Sequence, residues 1–414
     1  MKTADRTPCA SPDPSRGVIE GYDIVAFAFS DWRASWSLPQ QIATRLAPRN
    51  RVLYVDVPRP FVYFLKGRDP QGAGYWEGPR LQEISPNFYV YHPPHVFLPF
   101  KGLPFRAMQF VLDFNGWLLS RLVKRAMARL GFGRPIVWNF SPLHGMAVER
   151  MNALATVYDT GDEWVNYETD PNGVLLLYWI EERLCRQADV VFTGTENMKE
   201  QRALYNTETH VVYHAADYAH FSKATLAETP IPDDVAHLPH PIVGTIGVID
   251  PARFDVDLVV YMAKMRPAWS IVLVGPARAD MDLSRMQGIP NLHLLGNRPI
   301  AELPNYLKAF DVLFIPYKVN DATRNIYPLK LQEYFATGKP VVSEALPSVT
   351  AYGDVVEIAH SHDDFIARVE AAMRDDAPEL REIRQVIARA NSWEHRVEVK
   401  CGHLRRILQA KSGH

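Results

Sequence analysis

The segment NIYPLKLQEYFATGKPVVS (325–343) places a lysine and a glutamate three residues apart near the start of a predicted short helix. Pro328 sits near the first helical position, where its missing N–H costs no hydrogen bond. A helix start attracts anions, and Lys330 adds a full positive charge there. Glu333 shares a helix face with Lys330, and a carboxylate beside a phosphate can accept both hydroxyls of a ribose. The spacing fits a nucleotide site, and it also fits an ordinary Lys–Glu pair on a solvated face.

A second candidate for phosphate binding is GTIGVIDPAR (244–253), at the end of a predicted strand. Gly247 would permit close backbone approach to a ligand, and the guanidinium fork of Arg253 could clamp a phosphate. The same residues also fit a simple strand-to-helix turn capped by Asp250. Both interpretations stay open at this point.

Acids in the first half of the chain could act as a general base. Asp162 and Glu163 lie in YDTGDEW, just past a predicted strand, and a carboxylate can take the proton of an attacking hydroxyl. Asp162 could instead cap a helix. Asp31, in FSDWRASW, is the rival base, followed directly by Trp32 and Arg33. His144 is a further candidate, although a single histidine is more often structural.

The stretch 95–134 combines aromatic and basic residues, with Asp113 as its only acid. Its aromatic residues include Phe97, Phe100, Phe105, Phe110, Phe114 and Trp117. Its basic residues are Lys101, Arg106, Arg121, Lys124, Arg125, Arg129 and Arg134. A basic, aromatic amphipathic helix can lie on an anionic membrane surface. An ordinary core helix with a solvated basic face has the same pattern.

The elements that must position these residues follow a repeated strand–helix rhythm. In the first half, β-rich runs occur at 23–29, 51–57, 87–92, 135–140, 155–160, 189–194 and 210–215. Helical periodicity fills 34–46, 106–130, 174–186 and 196–204. Near-continuous Val/Ile strands separated by helices predict a parallel sheet covered on both faces.

A polar, proline-rich stretch at 223–241 is predicted to be a linker, after which the rhythm restarts. The second set of strands is predicted at 241–249, 270–275, 291–296, 311–316, 340–343 and 354–359, with helices at 255–265, 301–309, 329–336 and 363–373. The predicted fold is α/β, with two Rossmann-like doubly wound domains facing a cleft. The predicted division is a disordered tail at 1–21, domains at 22–222 and 242–390, and a C-terminal helix at 391–414 that crosses back to the first domain. Open α/β sheets bind ligands outside their carboxyl ends, so a cleft site is expected.

Composition narrows the class of protein. The chain has 414 residues, 47% apolar and 22% charged, and its net charge of −2 does not indicate nucleic-acid binding. Cys9, Cys185 and Cys401 are too scattered for a zinc motif, which favours a reduced, cytosolic protein. No apolar run is long enough for a transmembrane helix, and the first 21 residues lack the apolar core of a signal peptide.

Several segments resemble a known family. PLKLQEYFATGKPVV (328–342) resembles the donor motif of glycosyltransferases with the two-Rossmann GT-B fold, most like family 4. Four more segments resemble the teichuronic-acid type of bacterial polysaccharide glycosyltransferase: YDIVAFAFSDWRASWSLPQQIATRLAPRNRVLYVD, VYDTGDEW, VGTIGVIDPARFDVDLV and WSIVLVGP. The resemblance extends over most of the chain.

The resemblance implies roles for individual residues. It makes Glu333 the ribose-binding glutamate and places Arg253 against the leaving diphosphate. The turn that meets the diphosphate would consist of Pro328, Leu329, Lys330 and Leu331. In LLGNRPIAEL (294–303), Gly296 and Arg298 would border the nucleobase, and Tyr317 could line the same pocket.

The chain departs from the family at Asn325, where many family-4 enzymes carry a glutamate that contacts the donor sugar. Asparagine can still donate a hydrogen bond to a sugar hydroxyl, but it carries no charge. Asp162 resembles the base of an inverting enzyme, whereas the donor motif resembles retaining ones. The stereochemical outcome therefore stays open.

The resemblance implies transfer of a sugar from a nucleotide-diphosphate donor to a glycan or lipid-linked acceptor. The expected location is the cytoplasm, with a peripheral position on the inner face of the cell membrane as a further expectation. No cofactor or metal is expected, and the DVD at 255–257 is read as a helix start and not as a metal motif. One alternative is a non-hydrolysing nucleotide-sugar 2-epimerase, which shares the two-domain architecture. The other is a non-catalytic relative that only binds nucleotide or glycan.

Overall fold

The structure is a computed structural model that describes residues 17–33, 37–62, 78–213, 215–320, 323 and 328–412. Most of the predicted disordered tail therefore lies outside the described residues. The chain divides into two compact units, one formed by 1–214 together with 394–414 and the other by 215–393. No helix in the described part of the chain is both long and apolar enough to span a membrane.

The first unit contains an eight-stranded sheet within its described residues. Its strands are β1 (Asp23–Phe27), β2 (Arg51–Val55), β3 (Leu81–Ser85), β4 (Phe88–Tyr91), β5 (Ile136–Asn139), β6 (Ala155–Thr160), β7 (Val190–Thr193) and β8 (Thr209–Val211). They lie in the order β3-β4-β2-β1-β5-β6-β7-β8. β3 pairs antiparallel with β4, and the other neighbours pair in parallel. The sequence rhythm predicted the parallel strands and missed the edge strand β3, whose residues are mostly exposed.

The second unit contains a parallel sheet of six described strands. These are β9 (Ile242–Ile246), β10 (Ser270–Val274), β11 (Leu292–Gly296), β12 (Val312–Ile315), β13 (Val341–Glu344) and β14 (Glu357–Ala359). They lie in the order β11-β10-β9-β12-β13-β14. The strands β10 and β11 therefore extend the sheet on one side of β9, and β12, β13 and β14 extend it on the other side. This is the doubly wound arrangement that the sequence predicts.

The helices of both units follow the predicted rhythm. They are α1 (Leu38–Leu46), α2 (Phe105–Leu130), α3 (Gly145–Val148), α4 (Pro171–Gln187), α5 (Glu196–Ala203), α6 (Tyr218–Phe221), α7 (Asp233–Ala236), α8 (Val256–Met265), α9 (Leu303–Ala309), α10 (Leu329–Thr337), α11 (Pro347–Thr350), α12 (His362–Asp375), α13 (Pro378–Ala390) and α14 (Trp393–Ser412). Proline at the first turn of α4, α9 and α13 is compatible with a helix start, because the first N–H groups have no intrahelical acceptor.

Each face of the second sheet has its own core. Val243, Phe314 and Val342 pack with α8 and α12, whereas Ile246 and Leu313 pack on the opposite face with α9 and α10. This alternation follows from the period of two along a strand. The two cores fix α8 and α12 on one face of the sheet and α10 on the opposite face.

The C-terminal helix α14 returns to the first unit, as predicted. The ammonium of Lys400 contacts both carboxylate oxygens of Asp159 on β6, at 2.6 and 2.7 Å, and both side chains are buried. Nearer the end of the helix, Lys411 Nζ lies 2.7 Å from a carboxylate oxygen of Asp189. These ion pairs, together with buried apolar residues of the helix such as Val397 and Leu404, attach it to the first sheet.

The prediction that 223–241 is a linker between the domains is wrong, because this segment belongs to the second unit. Val235 and Leu238 are buried in the core that also holds α10. The ammonium of Lys308 on α9 donates hydrogen bonds to three backbone carbonyls of this segment, at 226, 227 and 229. A few well-placed apolar residues therefore bind an otherwise polar segment to the domain.

Candidate functional site

Helix α10 starts at the carboxyl edge of the second sheet. Pro328 is the residue before its first turn, and Gly338, at φ +70°, ends it by donating its N–H to the carbonyl of Phe335. The Leu331 side chain is fully buried in the core, so Leu331 could meet a ligand only through its backbone. Leu329 is 43% exposed. The helix thus begins at Leu329 and ends at Thr337, directly before Gly338, in agreement with the helix predicted at 329–336.

Lys330 projects from the first turn of α10 towards the end of β9. Its side chain is buried, and its ammonium lies 4.7 Å from the centroid of the Tyr317 ring. A Cβ atom added at Gly247 would stand 3.2 Å from the ammonium. Gly247 also has φ +119°, which only glycine adopts without strain. The structure therefore brings the predicted residues Gly247, Tyr317 and Lys330 together.

Glu333 and Lys330 perturb each other's charge within this site. Burial raises the pKa of Glu333 to about 7, an effect that the nearby Lys330 opposes. Burial likewise lowers the pKa of Lys330 to about 8, and Glu333 opposes this shift. Neither charged group makes a hydrogen bond or a close ion pair to any described residue. Buried charges without such partners are costly, and they are typical of sites that bind a ligand.

Arg253 also lies near Tyr317, with its guanidinium carbon 5.8 Å from the ring centroid. Its Nε donates to Asp250 at 2.6 Å, and the Asp250 carboxylate also accepts the N–H groups of Ala252 and Arg253. The turn predicted with Asp250 as its cap is therefore present. It also holds the guanidinium beside Tyr317, so the two interpretations of this segment are compatible.

At the ends of β9 and β10, the backbones of Gly247 and Gly275 approach each other too closely for a side chain at Gly275. Gly275 donates its N–H to the carbonyl of Gly296 at 2.8 Å, and Gly247 donates to Val274 at 2.8 Å. A Cβ at Gly275 would come within 2.0 Å of the Gly247 carbonyl oxygen. Gly296 has φ +71° and open space beside its Cα. This edge of the sheet is bare backbone that a flat ligand could approach.

Arg298 has protein partners of its own. Its guanidinium donates to the hydroxyl of Tyr306 at 2.7 Å and to the carboxylate of Asp234 at 2.9 Å. These bonds connect the loop after β11 to α9 and α7, a structural role that the sequence did not suggest. Its placement beside a nucleobase stays a prediction. Asn325, the predicted donor-sugar contact, lies outside the described residues.

The acids of the YDTGDEW segment have different surroundings. Glu163 forms a bidentate ion pair with Arg202, with both distances at 2.7 Å, and Arg202 also contacts Glu181 at 2.9 Å. Asp162 is exposed, and its carboxylate makes no hydrogen bond within the described part of the chain. It caps no helix, because only its backbone carbonyl is engaged, by the Thr160 hydroxyl at 3.0 Å. Asp162 is thus the acid of this pair that remains open to a substrate.

The carboxylate of Asp31, the alternative general base, is already bound by other groups of the protein. Its carboxylate forms an ion pair with Arg59 and accepts the N–H of Val57 at 3.3 Å. The neighbouring Trp32 packs its ring on Tyr54 and Phe88. These contacts give Asp31 and Trp32 a structural role within the first unit.

Two buried histidines lie near this edge of the first sheet: His144, which the sequence suggested as a candidate, and His92, which it did not. His144 is buried beside Phe27, and burial lowers its pKa to about 4, so it stays neutral. His92 was not predicted: its Nδ1 lies 2.5 Å from the Asp56 carboxylate, and both side chains are buried. Burial raises the pKa of Asp56. The sequence signal was present, since Asp56 and His92 each directly follow a strand.

Comparison with known proteins finds a family match in the second unit. Residues 240–375 match the family model described as glycosyl transferases group 1. This part of the chain is similar to a group 1 glycosyltransferase domain. The match contains the ends of β9, β10 and β11, the Arg253 turn and the whole of α10. The unpaired Lys330 and Glu333 therefore lie within the glycosyltransferase domain.

A curated relative extends the similarity. The putative teichuronic acid biosynthesis glycosyltransferase TuaH of Bacillus subtilis (strain 168) is 27% identical over 257 residues, which is 57% of this chain. The match spans 63% of the length of TuaH. This similarity agrees with the type of glycosyltransferase that the sequence segments resemble.

Solved structures show the fold. Sucrose-phosphate synthase from Thermosynechococcus elongatus has a TM-score of 0.60 at 17% identity and covers 94% of this chain and all of its own. A trehalose-6-phosphate protein from E. coli, bound with UDP-2-fluoro glucose, scores 0.64 at 12% identity, covering 94% and 99%. HepE from Anabaena, in complex with UDP and glucose, scores 0.56 at 13% identity, covering 92% and 98%. The fold is GT-B.

Proposed function

We propose that this chain transfers a sugar from a nucleotide-diphosphate sugar to a glycan acceptor. The observation that carries the proposal is the buried Lys330 and the partly buried Glu333 at the start of α10, neither of which has a hydrogen-bond partner among the described residues. Both lie within the segment that matches the group 1 glycosyltransferase model. The solved relatives that hold UDP-2-fluoro glucose or UDP support a nucleotide-sugar donor.

The donor diphosphate would lie against Gly247 and the first turn of α10. The first N–H groups of a helix generally lack intrahelical acceptors, which makes a helix start attractive to an anion. Here the N–H of Leu331 already donates to the carbonyl of Pro328 at 2.9 Å, so the N–H groups of Leu329 and Lys330 would face the anion. Lys330 and Arg253, both beside Tyr317, would neutralise the charge that develops on the departing diphosphate. These cations would do this without a bound metal. Glu333 would accept the two ribose hydroxyls once it is ionised.

The acceptor hydroxyl would lose its proton to Asp162. This acid is exposed and has no partner among the described residues, whereas Asp31 and Glu163 are held by Arg59 and Arg202. A carboxylate that accepts no other hydrogen bond is available as a general base. The base is thus assigned by elimination among the predicted acids.

Product analysis tests this function. The protein is incubated with UDP-, GDP-, dTDP- and ADP-sugars, with chelator present and with or without a panel of glycan and lipid-linked acceptors. Transfer predicts release of nucleotide diphosphate and a heavier acceptor by mass spectrometry, both only when an acceptor is present. A changed sugar without acceptor would identify a 2-epimerase, and nucleotide binding without either product would identify a non-catalytic relative. Asp162→Asn should abolish transfer and leave nucleotide affinity unchanged.

The acceptor is proposed to be lipid-linked, because helix α2 has a membrane-compatible surface. Its inner face is buried through residues such as Leu112, Leu119 and Val123. Its outer face exposes Phe110, at 74%, together with Phe114 and Trp117. A groove beside these aromatics is lined by basic groups, namely Arg121, Lys124, Arg125 and Arg150. Exposed aromatics next to clustered cations suit the interface of an anionic bilayer.

Sedimentation with vesicles tests the membrane surface. Replacing Arg121, Lys124 and Arg125 together by Gln should reduce binding to phosphatidylglycerol-containing vesicles at least about tenfold, since each cation near such a surface contributes about 1 kcal/mol. A matched triple change on the second unit, at Lys264, Arg278 and Arg374, should leave binding intact. Equal binding by the two folded triple variants would remove the membrane proposal.

A further inference from the structure

Three metal-ligating side chains meet in the second unit, outside the proposed donor site. Asp255 immediately precedes α8, Glu344 ends β13, and His362 begins α12. Their potential ligand atoms all lie within 4.8 Å of one another. The residues come from three separate segments, so only the folded sheet brings them together.

Glu344 is the member of this cluster that is hardest to explain without a ligand. It is 8% exposed, and its carboxylate makes no hydrogen bond or ion pair with a described residue. Alternate residues of a strand share a face, so Glu344 lies with Val342 on the side covered by α8 and α12. A buried carboxylate without a partner is costly unless a cation neutralises it.

The other two groups are already oriented. One carboxylate oxygen of Asp255 accepts the N–H of Leu258 at 3.0 Å, which fixes the side chain at the start of α8. Its second oxygen lies 3.4 Å from Nε2 of His362. Two ligands on a tetrahedral zinc ion, each at about 2.1 Å, stand roughly 3.4 Å apart. The observed spacing therefore equals one edge of a tetrahedral site.

We propose that Asp255, Glu344 and His362 bind a divalent transition-metal cation, with Zn²⁺ matching the donor set best. One imidazole and two carboxylates are ligands that zinc accepts, and three protein ligands leave a fourth position for water.

The DVD segment itself is not the site. Asp257, its second acid, forms an ion pair with Arg285 on the surface. The partners of Asp255 instead come from 89 and 107 residues further along the chain, at Glu344 and His362. Sequence spacing therefore could not reveal this cluster.

The cation would connect the starts of α8 and α12 to the end of β13. Phe254 and Leu258 belong to the core on one face of the second sheet, whereas Tyr317 and Leu331 belong to the core on the other face. Asp255 lies beside the end of β12, because its N–H donates to the carbonyl of Pro316 at 2.8 Å.

Titration of metal-free, full-length protein with Zn²⁺, against a chromophoric competitor, tests the proposal. One Zn²⁺ should bind per chain at micromolar or lower free metal, and Mn²⁺ should bind more weakly. Glu344→Gln and His362→Gln should each weaken Zn²⁺ binding at least about tenfold, by the usual cost of losing one ligand-supporting group. His360→Gln, at an exposed histidine two residues away, should bind as wild type does.

Thermal unfolding separates metal binding from a folding defect. Without metal, Glu344→Gln should be at least as stable as wild type, because it removes a buried charge beside Asp255. With Zn²⁺, wild type and His360→Gln should gain thermal stability, and Glu344→Gln should gain little. Equal Zn²⁺ affinity in wild type and Glu344→Gln, or no micromolar binding by wild type, would show that Asp255 and His362 form an ordinary ion pair beside a protonated Glu344.

Discussion

Charged residues at the carboxyl edges of the two sheets have opposite surroundings. In the first unit, Glu163 and Asp31 are each held by an arginine, Arg202 and Arg59. In the second unit, Lys330 is buried and Glu333 is partly buried, yet neither forms a hydrogen bond or a close ion pair with a described residue.

The comparison distinguishes charged residues whose ion pairs stabilise the fold from charged residues that would find their partners in a bound ligand. An arginine with two carboxylates satisfies most of its donors, and its removal leaves buried charge behind. A lysine and a glutamate without hydrogen-bond partners reduce stability, and a bound nucleotide would supply what they lack. Mutations in the two regions should therefore affect different measurements.

The largest expected effect is on stability, in the first unit. Arg202→Met should lower the free energy of unfolding by about 3–5 kcal/mol, because Glu163 and Glu181 lose their common partner. Denaturant unfolding measures this. Arg186→Met, which removes an exposed pair with Glu182, should cost at most about 0.5 kcal/mol. Comparable losses in both variants would mean that the Arg202 cluster is not structural.

The next effect is on binding, in the second unit. Lys330→Met should weaken nucleoside-diphosphate binding about 10–100-fold, the equivalent of one charged hydrogen bond of about 1.5–3 kcal/mol. Its unfolding free energy should be unchanged or higher, since the buried ammonium is removed. Lys264→Met, at an exposed lysine of α8, is the control for both measurements. A destabilised Lys330→Met protein with normal affinity would reverse the comparison.

A smaller effect is expected from pH. Glu333 is ionised above its pKa of about 7, and Lys330 is protonated below its pKa of about 8. Both charges are present mainly between these values, so nucleotide affinity should be highest between about pH 7 and pH 8 and fall on either side. Titrations from pH 6 to pH 9 measure this profile. In Lys330→Met the decline on the alkaline side should disappear, and a decline that persists would assign it to another group.

The sequence predicted what depends on contiguous residues. The strand rhythm predicted the parallel strands of both sheets, and the α10 segment predicted that Lys330 and Glu333 lie one turn apart on a helix. Their role in donor binding stays a prediction. Gly247 and Arg253 followed from a turn after a strand. The resemblance to a glycosyltransferase family agreed with the domain at 240–375.

The sequence failed where topology brings distant segments together. The Asp56–His92 pair joins β2 to β4, and the Asp255 cluster joins three elements of the second sheet. The segment 223–241 was misread because its few buried residues, such as Val235, are diluted by polar ones. The sequence also could not show which charged residues form ion pairs. Asp162 and Glu163 are adjacent in sequence, and of these two only Glu163 forms an ion pair with a described arginine.

Calorimetric titration with UDP, GDP, dTDP and ADP, in the presence of chelator, tests the central claim most directly. Wild type, Glu333→Ala and the exposed-acid control Glu379→Ala are compared. The account predicts tight binding of one nucleotide by wild type and by Glu379→Ala, and affinity weakened more than about tenfold in Glu333→Ala, because the ribose loses its acceptor. Equal affinity in all three proteins, or no binding by any of them, would contradict the assignment of Lys330 and Glu333 as the donor site.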